Sequence, residues 1–188
     1  YSGITIPENI APLNFNIEEK CQKYIVVISG KDGKKITVKS SGQRIEIPIK
    51  QWKKLLRNNI DKDITIDIYG KKSGQKWAKY PSITNHIAPE ENDNHIVFRQ
   101  INTGYILWEK MGIFQRNLEN YDEKPILLND RTNHNCMNCH TFGNYNPNKM
   151  MLHLRSTPGG TLLYDNNEVE LLNTKTPYTM SACVYPSW

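Results

Sequence analysis

Hydrophobic and polar residues alternate in short segments through the first half of the chain. The segments are rich in β-branched residues, and turn signals such as Asp32-Gly33 separate them. They predict strands over residues 24–28, 36–38, 44–49 and 64–69, followed by a return strand through Trp77. Several short strands at this spacing are typical of a β-sandwich, and we expect one of immunoglobulin-like type over residues 1–89.

One segment among these strands has a helical period instead. Trp52, Leu55 and Leu56 recur at three and four residues within positions 50–57, which predicts a short amphipathic helix lying across the sheet. The apolar periodicity ends over residues 87–94, which carry Pro, Glu, Asn and Asp. We therefore place a linker there and expect a second domain over residues 90–188.

The second half of the chain predicts a helix, a long loop and a β-meander. Apolar residues at near-helical spacing predict the helix over 106–118, and the density of Asn, Gly and Pro predicts the loop over 129–148. Three strand-like segments follow at residues 150–154, 161–164 and 168–172, with turn residues between them. The expected fold class is mainly β, a sandwich followed by a loop-rich α+β segment with a meander.

Composition and charge narrow the class of protein. Charged residues make up 23% of the chain and it has ten Tyr and four Trp, as expected of a folded globular protein. The net charge of +5 comes from lysines interleaved with apolar positions, so a solvated polar face is favoured over nucleic-acid binding. No apolar run approaches the ~18 residues that span a bilayer. Because the chain starts at Tyr1 rather than Met and lacks signal-peptide features, we expect a processed or trimmed product, from which a signal or lipid anchor could have been removed.

The run CMNCH at residues 136–140 of the predicted loop contains two thiols and an imidazole that could bind a cofactor or metal. A c-type haem needs two thiols that add to its two vinyl groups and an imidazole directly afterwards that binds the iron. Cys136, Cys139 and His140 meet these demands. With four Cys and five His in the chain, this pentapeptide has a low chance of arising at random. The sequence therefore predicts haem c attached at this motif.

Two other interpretations of the same residues stay open. Zinc could bind Cys136 and Cys139 with two further ligands from His134, His140, His153 and Cys183, although no second CxxC or HxxxH pair supplies the usual spacing. A thioredoxin-like redox pair would need Cys136 at the start of a helix within a βαβ unit, which the loop-rich context argues against.

The remaining haem contacts are predicted from residue type and distance along the chain. We prefer His153 as the second axial ligand, with Met150, Met151 or an open position as alternatives; Met would raise the reduction potential. Candidate partners for the haem propionates are Arg116, Arg131 and Arg155. Candidate apolar walls are Tyr105, Trp108, Phe114, Phe142 and Tyr145. Cys21 and Cys183 could form a disulfide or stay free thiols.

Several segments resemble those of a known family. The sequences CMNCHTF at 136–142, MLHLR at 151–155 and YPSW at 185–188, with IAPLNF at 10–15 and GYILW at 104–108, resemble bacterial exported TolB-like (PD40) β-propeller proteins. The resemblance implies an envelope location, periplasmic or as an outer-membrane lipoprotein, and a sandwich domain ahead of a propeller. It also implies that the meander is part of a propeller that is largely missing from this chain.

Together these features predict a mono-haem c-type cytochrome module that passes electrons to a redox protein or complex of the bacterial envelope. No set of acid, base and nucleophile is evident, so the sequence does not predict an enzyme; an open sixth iron position would allow a sensor or peroxidase instead. The alternative function is an envelope binding or scaffold protein, contacting glycans or proteins, in which haem or zinc is structural.

Overall fold

The computed structural model describes residues 2–101, 110–157, 159–180 and 182–188. Among these residues 45% lie in strands and 10% in helices, which confirms the mainly β fold class. The described strands, β1 to β15 in chain order, are Thr5–Pro7, Phe15–Asn16, Lys23–Ser29, Lys35–Ser40, Arg44–Ile45, Asp63–Lys71, Ala78–Lys79, Ile83–Ala88, His95–Ile101, Met111–Asn117, Glu123–Leu128, Met137–Phe142, Lys149–Leu154, Gly160–Asp165 and Glu168–Leu172. Helix α1 spans Ile49–Asn58. No helix in the described part is long and apolar enough to cross a membrane.

The chain divides into two compact units. The first is Tyr1–Ile96 with Asn117–Asp122, and the second is Val97–Arg116 with Glu123–Trp188. The sequence-based boundary after residue 89 comes shortly before the first of these breaks. Residues 117–122, at the turn from β10 to β11, belong to the first unit. The sequence predicted two continuous domains and therefore missed this segment.

The first unit contains a six-stranded sheet and a two-stranded sheet. The larger sheet has the order β1-β8-β6-β3-β4, with β7 also paired to β6, and the smaller one joins β2 to β5. Strands β3 and β4 form the predicted hairpin, in which Gly33 adopts a φ of 78° at the turn. Two sheets in one unit are consistent with the predicted sandwich.

Alternation along the strands builds the core of this unit. Every second residue of β3 and β6 is buried, and the apolar ones among them join Trp52, Leu55 and Leu56 of α1 in one cluster. The burial of this face of α1 confirms the predicted helix. Strand β5 ends at Ile45 and is shorter than the strand predicted over 44–49, whose last residue, Ile49, begins the helix instead. The return strand predicted through Trp77 begins one residue later, and Trp77 itself is exposed.

The second unit contains a three-stranded sheet, β11-β10-β9, and a four-stranded sheet, β12-β13-β14-β15. The predicted meander is confirmed as β13 to β15, whose pairs are antiparallel. The helix predicted over 106–118 is wrong where the structure describes it, because Met111–Asn117 is a strand paired with β11; residues 102–109 lie outside the described residues. Pairing with β11, the next strand in the chain, overrides the near-helical spacing, and Ile113 is fully buried opposite Leu127.

The loop predicted over 129–148 is also more regular than expected. It contains a short 3-10 helix at Asn129–Thr132, strand β12 and a second 3-10 turn at Gly143–Tyr145. Residues 137–140 of the CxxCH run therefore lie on a strand at the edge of the four-stranded sheet, rather than in an irregular loop.

Candidate haem-attachment site

A β-bulge shapes the motif. In the pairing of β12 with β13, Asn138 is opposite His153 and His140 is opposite Leu152, so Cys139 is the extra residue between them. Cys139 is exposed and Cys136, which comes just before the strand, is half-buried. The bulge thus moves one thiol outward while the strand on either side stays paired.

The thiols of the motif are unpaired. All four cysteines lie in the described residues and none forms a disulfide. Cys136 Sγ lies 3.7 Å from the side-chain amide of Asn138. Of the other two, Cys21 contacts the Tyr80 hydroxyl at 3.5 Å and Cys183 is exposed, so the structure contains the free-thiol alternative for this pair.

His140 lies against an apolar cluster. Its Nε2 is 3.3 Å from the carbonyl oxygen of Val97 on β9, and its ring meets Phe142 edge-on at a centroid distance of 6.3 Å. Phe142 packs on the core of the second unit, which consists of Met111, Ile113, Met137, Met150, Leu152 and Leu154. The predicted wall residue Phe142 is therefore next to the predicted iron ligand.

His153 is buried and is turned away from His140. It is 4% exposed, and its Nδ1 lies 3.4 Å from the Thr161 hydroxyl. Burial, helped by the positive charge of Arg155, lowers the pKa of the His153 imidazole below its usual value. His153 and Met151 alternate with Leu152 along β13, whereas Met150 is opposite Phe142 and shares the face of His140. The structure thus brings Met150 to the face of His140, and not the other two candidates.

The three predicted arginines have different surroundings. Arg116 donates to Glu123 at 2.6 Å and its guanidinium lies over the Phe98 ring, so its charge already has partners. Arg131 has a side chain that is 81% exposed. Arg155 lies beside the motif: in the orientation of the Asn138 amide that satisfies its hydrogen bonds, the oxygen accepts from Nε and Nη2 of Arg155, both at 2.8 Å.

A further arginine at the motif was missed from the sequence. Arg99 on β9 donates from Nη1 to the carbonyl oxygen of Met137 at 3.1 Å. Strand β9 was not predicted, although Ile96, Val97 and Phe98 are consecutive strand-forming residues that could have indicated it. Two guanidiniums, those of Arg99 and Arg155, therefore flank the middle of the CxxC segment.

The other predicted contacts are not brought to the motif or lie outside the described residues. Phe114 stacks on Phe98 on the three-stranded sheet, and Tyr145 is almost fully exposed. Tyr105 and Trp108 lie outside the described residues. No three His, Cys, Asp or Glu side chains meet as a metal site in the part of the chain that the structure describes.

The donor set fits covalent haem attachment in its chemistry. It combines two unpaired thiols and an imidazole with a neighbouring apolar cluster and two guanidiniums suited to carboxylates. Comparison with known proteins adds nothing to this assignment, because no family model, curated protein or solved structure matches the chain.

Proposed function

We propose that this chain is a mono-haem c-type cytochrome module that transfers electrons in the bacterial envelope. The observation that carries the proposal is the CxxCH run with both thiols unpaired and its imidazole against an apolar cluster. When attached, the haem would supply the one-electron couple. Envelope location belongs to the proposal, because covalent haem attachment takes place after export from the cytoplasm.

Cys136 and Cys139 would be the attachment residues. Each thiol would add across one vinyl group, with its sulfur bonded to one vinyl carbon and its proton transferred to the other. Only reduced thiols can react in this way, and both are free. His140 would exchange its contact with the Val97 carbonyl for the iron. For the second axial ligand we favour Met150 over His153 and Met151, because it shares the face of His140.

Arg99 and Arg155 are the residues that we infer for the propionates, in place of Arg116 and Arg131. Both guanidiniums contact the CxxC segment through Met137 and Asn138, and the described ion pairs include no carboxylate partner for either. Arg116, by contrast, already binds Glu123. To bind the two propionates, both guanidiniums would exchange these contacts with the CxxC segment for the carboxylates.

Attachment can be tested by producing the chain behind an added export signal in a bacterial host that carries haem-attachment machinery. We expect one covalently bound haem per chain, seen as added mass in the unfolded protein and as a c-type α-band after reduction. Cys136→Ser or Cys139→Ser should leave a single thioether, and the double variant none. Cys183→Ser is the matched control, because its exposed thiol lies outside the motif, and it should load fully.

Two results would contradict the proposal. One is a folded, colourless chain from a host in which a control cytochrome is loaded. The other is a colourless chain that holds one zinc ion per molecule and loses it when Cys136 is replaced, which would support the zinc alternative.

A further inference from the structure

The first unit contains a cavity of about 410 Å³ that has no part in the haem motif. Residues 13–17 line one side of it, and Ile66, Ile68, Ile83 and Asn85 line the other. In the sheet, Ile68 and Ile66 are opposite Val26 and Ile28, so the cavity lies over the inner face, which carries the core. Its volume falls within the range of about 300–1,000 Å³ that is usual for small-molecule sites.

The walls are apolar and uncharged. Leu13, Phe15 and Ile17 face the three isoleucines of the sheet, and the polar lining residues are asparagines. Asn14 and Asn16 are exposed, and the Asn14 side chain already accepts a hydrogen bond from the backbone N–H of Ile47 at 2.8 Å. Because no charged side chain lines the cavity, a neutral and mainly apolar occupant fits it best.

Asn85 supplies an unsatisfied donor at this wall. The residue is 1% exposed, and its Oδ1 accepts from the backbone N–H of Ile4, while its Nδ2 has no hydrogen-bond partner. Asn85 is opposite Ile64 in the sheet and alternates with Ile83 and Ile87, so its side chain lies on the cavity side. Buried polar groups nearly always have a partner, and a missing one calls for an explanation.

We propose that the first unit binds a small, uncharged and mainly apolar molecule whose hydrogen-bond acceptor takes up the Nδ2 donor of Asn85. The apolar walls contribute affinity in a way that tolerates different shapes, and the single amide orients the occupant. This proposal does not depend on haem attachment, since each of its residues belongs to the first unit.

The test compares two fluorescent probes that differ in one group. 6-Propionyl-2-dimethylaminonaphthalene has a carbonyl acceptor, and 2-dimethylaminonaphthalene has the same ring system without it. We expect the first probe to bind saturably with one site per chain. Asn85→Leu should weaken its binding about tenfold, corresponding to ~1.4 kcal/mol, and leave the affinity for the second probe unchanged.

Variants that fill the cavity complete the test. Ile68→Trp, or Ile83→Trp at a half-buried wall position, should abolish binding of both probes. The matched control is Ile25→Trp, which lies on the opposite face of the sheet and should bind like the parent chain. Circular dichroism identifies the variants that fold. The proposal is overturned if the folded parent chain binds neither probe saturably, if a folded cavity-filling variant still binds, or if Asn85→Leu weakens both probes equally.

Discussion

The imidazoles of His140 and His153 project from opposite faces of the sheet formed by β12 to β15. His140 is opposite Leu152 in the register, and His153 is the next residue of β13, so the two side chains point away from each other. Both could bind one iron only if β12 and β13 separated. This relationship argues against His153, the ligand preferred from sequence, and in favour of Met150.

Axial ligation can be tested on haem-loaded protein. We expect His153→Gln to leave the reduced spectrum and the reduction potential unchanged. Met150→Leu conserves volume in the core but removes the thioether, so it should lower the potential by something on the order of 100 mV. Spectroelectrochemical titration measures both variants. A shift with the His153 variant and none with the Met150 variant would favour the original choice of ligand.

His153 also makes a prediction about acid stability. Because burial lowers the pKa of its imidazole in the folded state from 6.5, the unfolded chain takes up this proton more readily. The stabilisation is fully present above pH 6.5 and is lost as the pH falls through the folded-state pKa, at a rate of at most about 1.4 kcal/mol per pH unit. Urea unfolding at a series of pH values between 7 and 5 measures the slope. His153→Gln should flatten it, and an identical slope in both chains would refute the assignment.

The sequence predicts correctly those strands and helices whose apolar residues recur with a clear period. The alternation in β3 and the helical period around Trp52 were interpreted correctly, because in both segments the spacing of apolar residues matches the face that is buried. Strand β10 was not, because the burial of Ile113 comes from pairing with β11. For the candidate site, the pentapeptide alone picked out the two thiols. The contact of Arg99 with Met137 joins residues 38 positions apart, and the orientation of His153 depends on the register of β12 with β13, so no short sequence pattern predicts either of them.

Gly30 is required by close packing of a buried asparagine. Asn59 is 0% exposed, donates to the Leu55 carbonyl at 2.8 Å and accepts from the backbone N–H of Asp32, and a Cβ on Gly30 would overlap its amide. We expect Gly30→Ala to lower the free energy of unfolding by about 1–3 kcal/mol. Gly42→Ala is the matched control, since its Cβ would meet nothing nearer than Ser40 Oγ at 4.0 Å; it should change stability by no more than about 0.5 kcal/mol. Equal effects of the two changes in denaturant unfolding would refute this account.

Tyr80 should be among the last of the tyrosines to ionise. Its hydrogen bond with Cys21, followed by burial, raises the pKa of the phenol from 10.0 to about 12. A raised pKa means that the folded state holds the proton more tightly, so this stabilisation is complete below pH 10 and is lost as the pH rises through 12. Tyrosinate absorbance, followed in a pH titration, should show a late component that Cys21→Ala moves toward pH 10, because the hydrogen bond is the largest cause of the shift. Cys183→Ala, which removes a thiol that has no contact with Tyr80, should leave that component in place. A late component that survives in the Cys21 variant would mean that burial, and not the thiol, holds the proton on Tyr80.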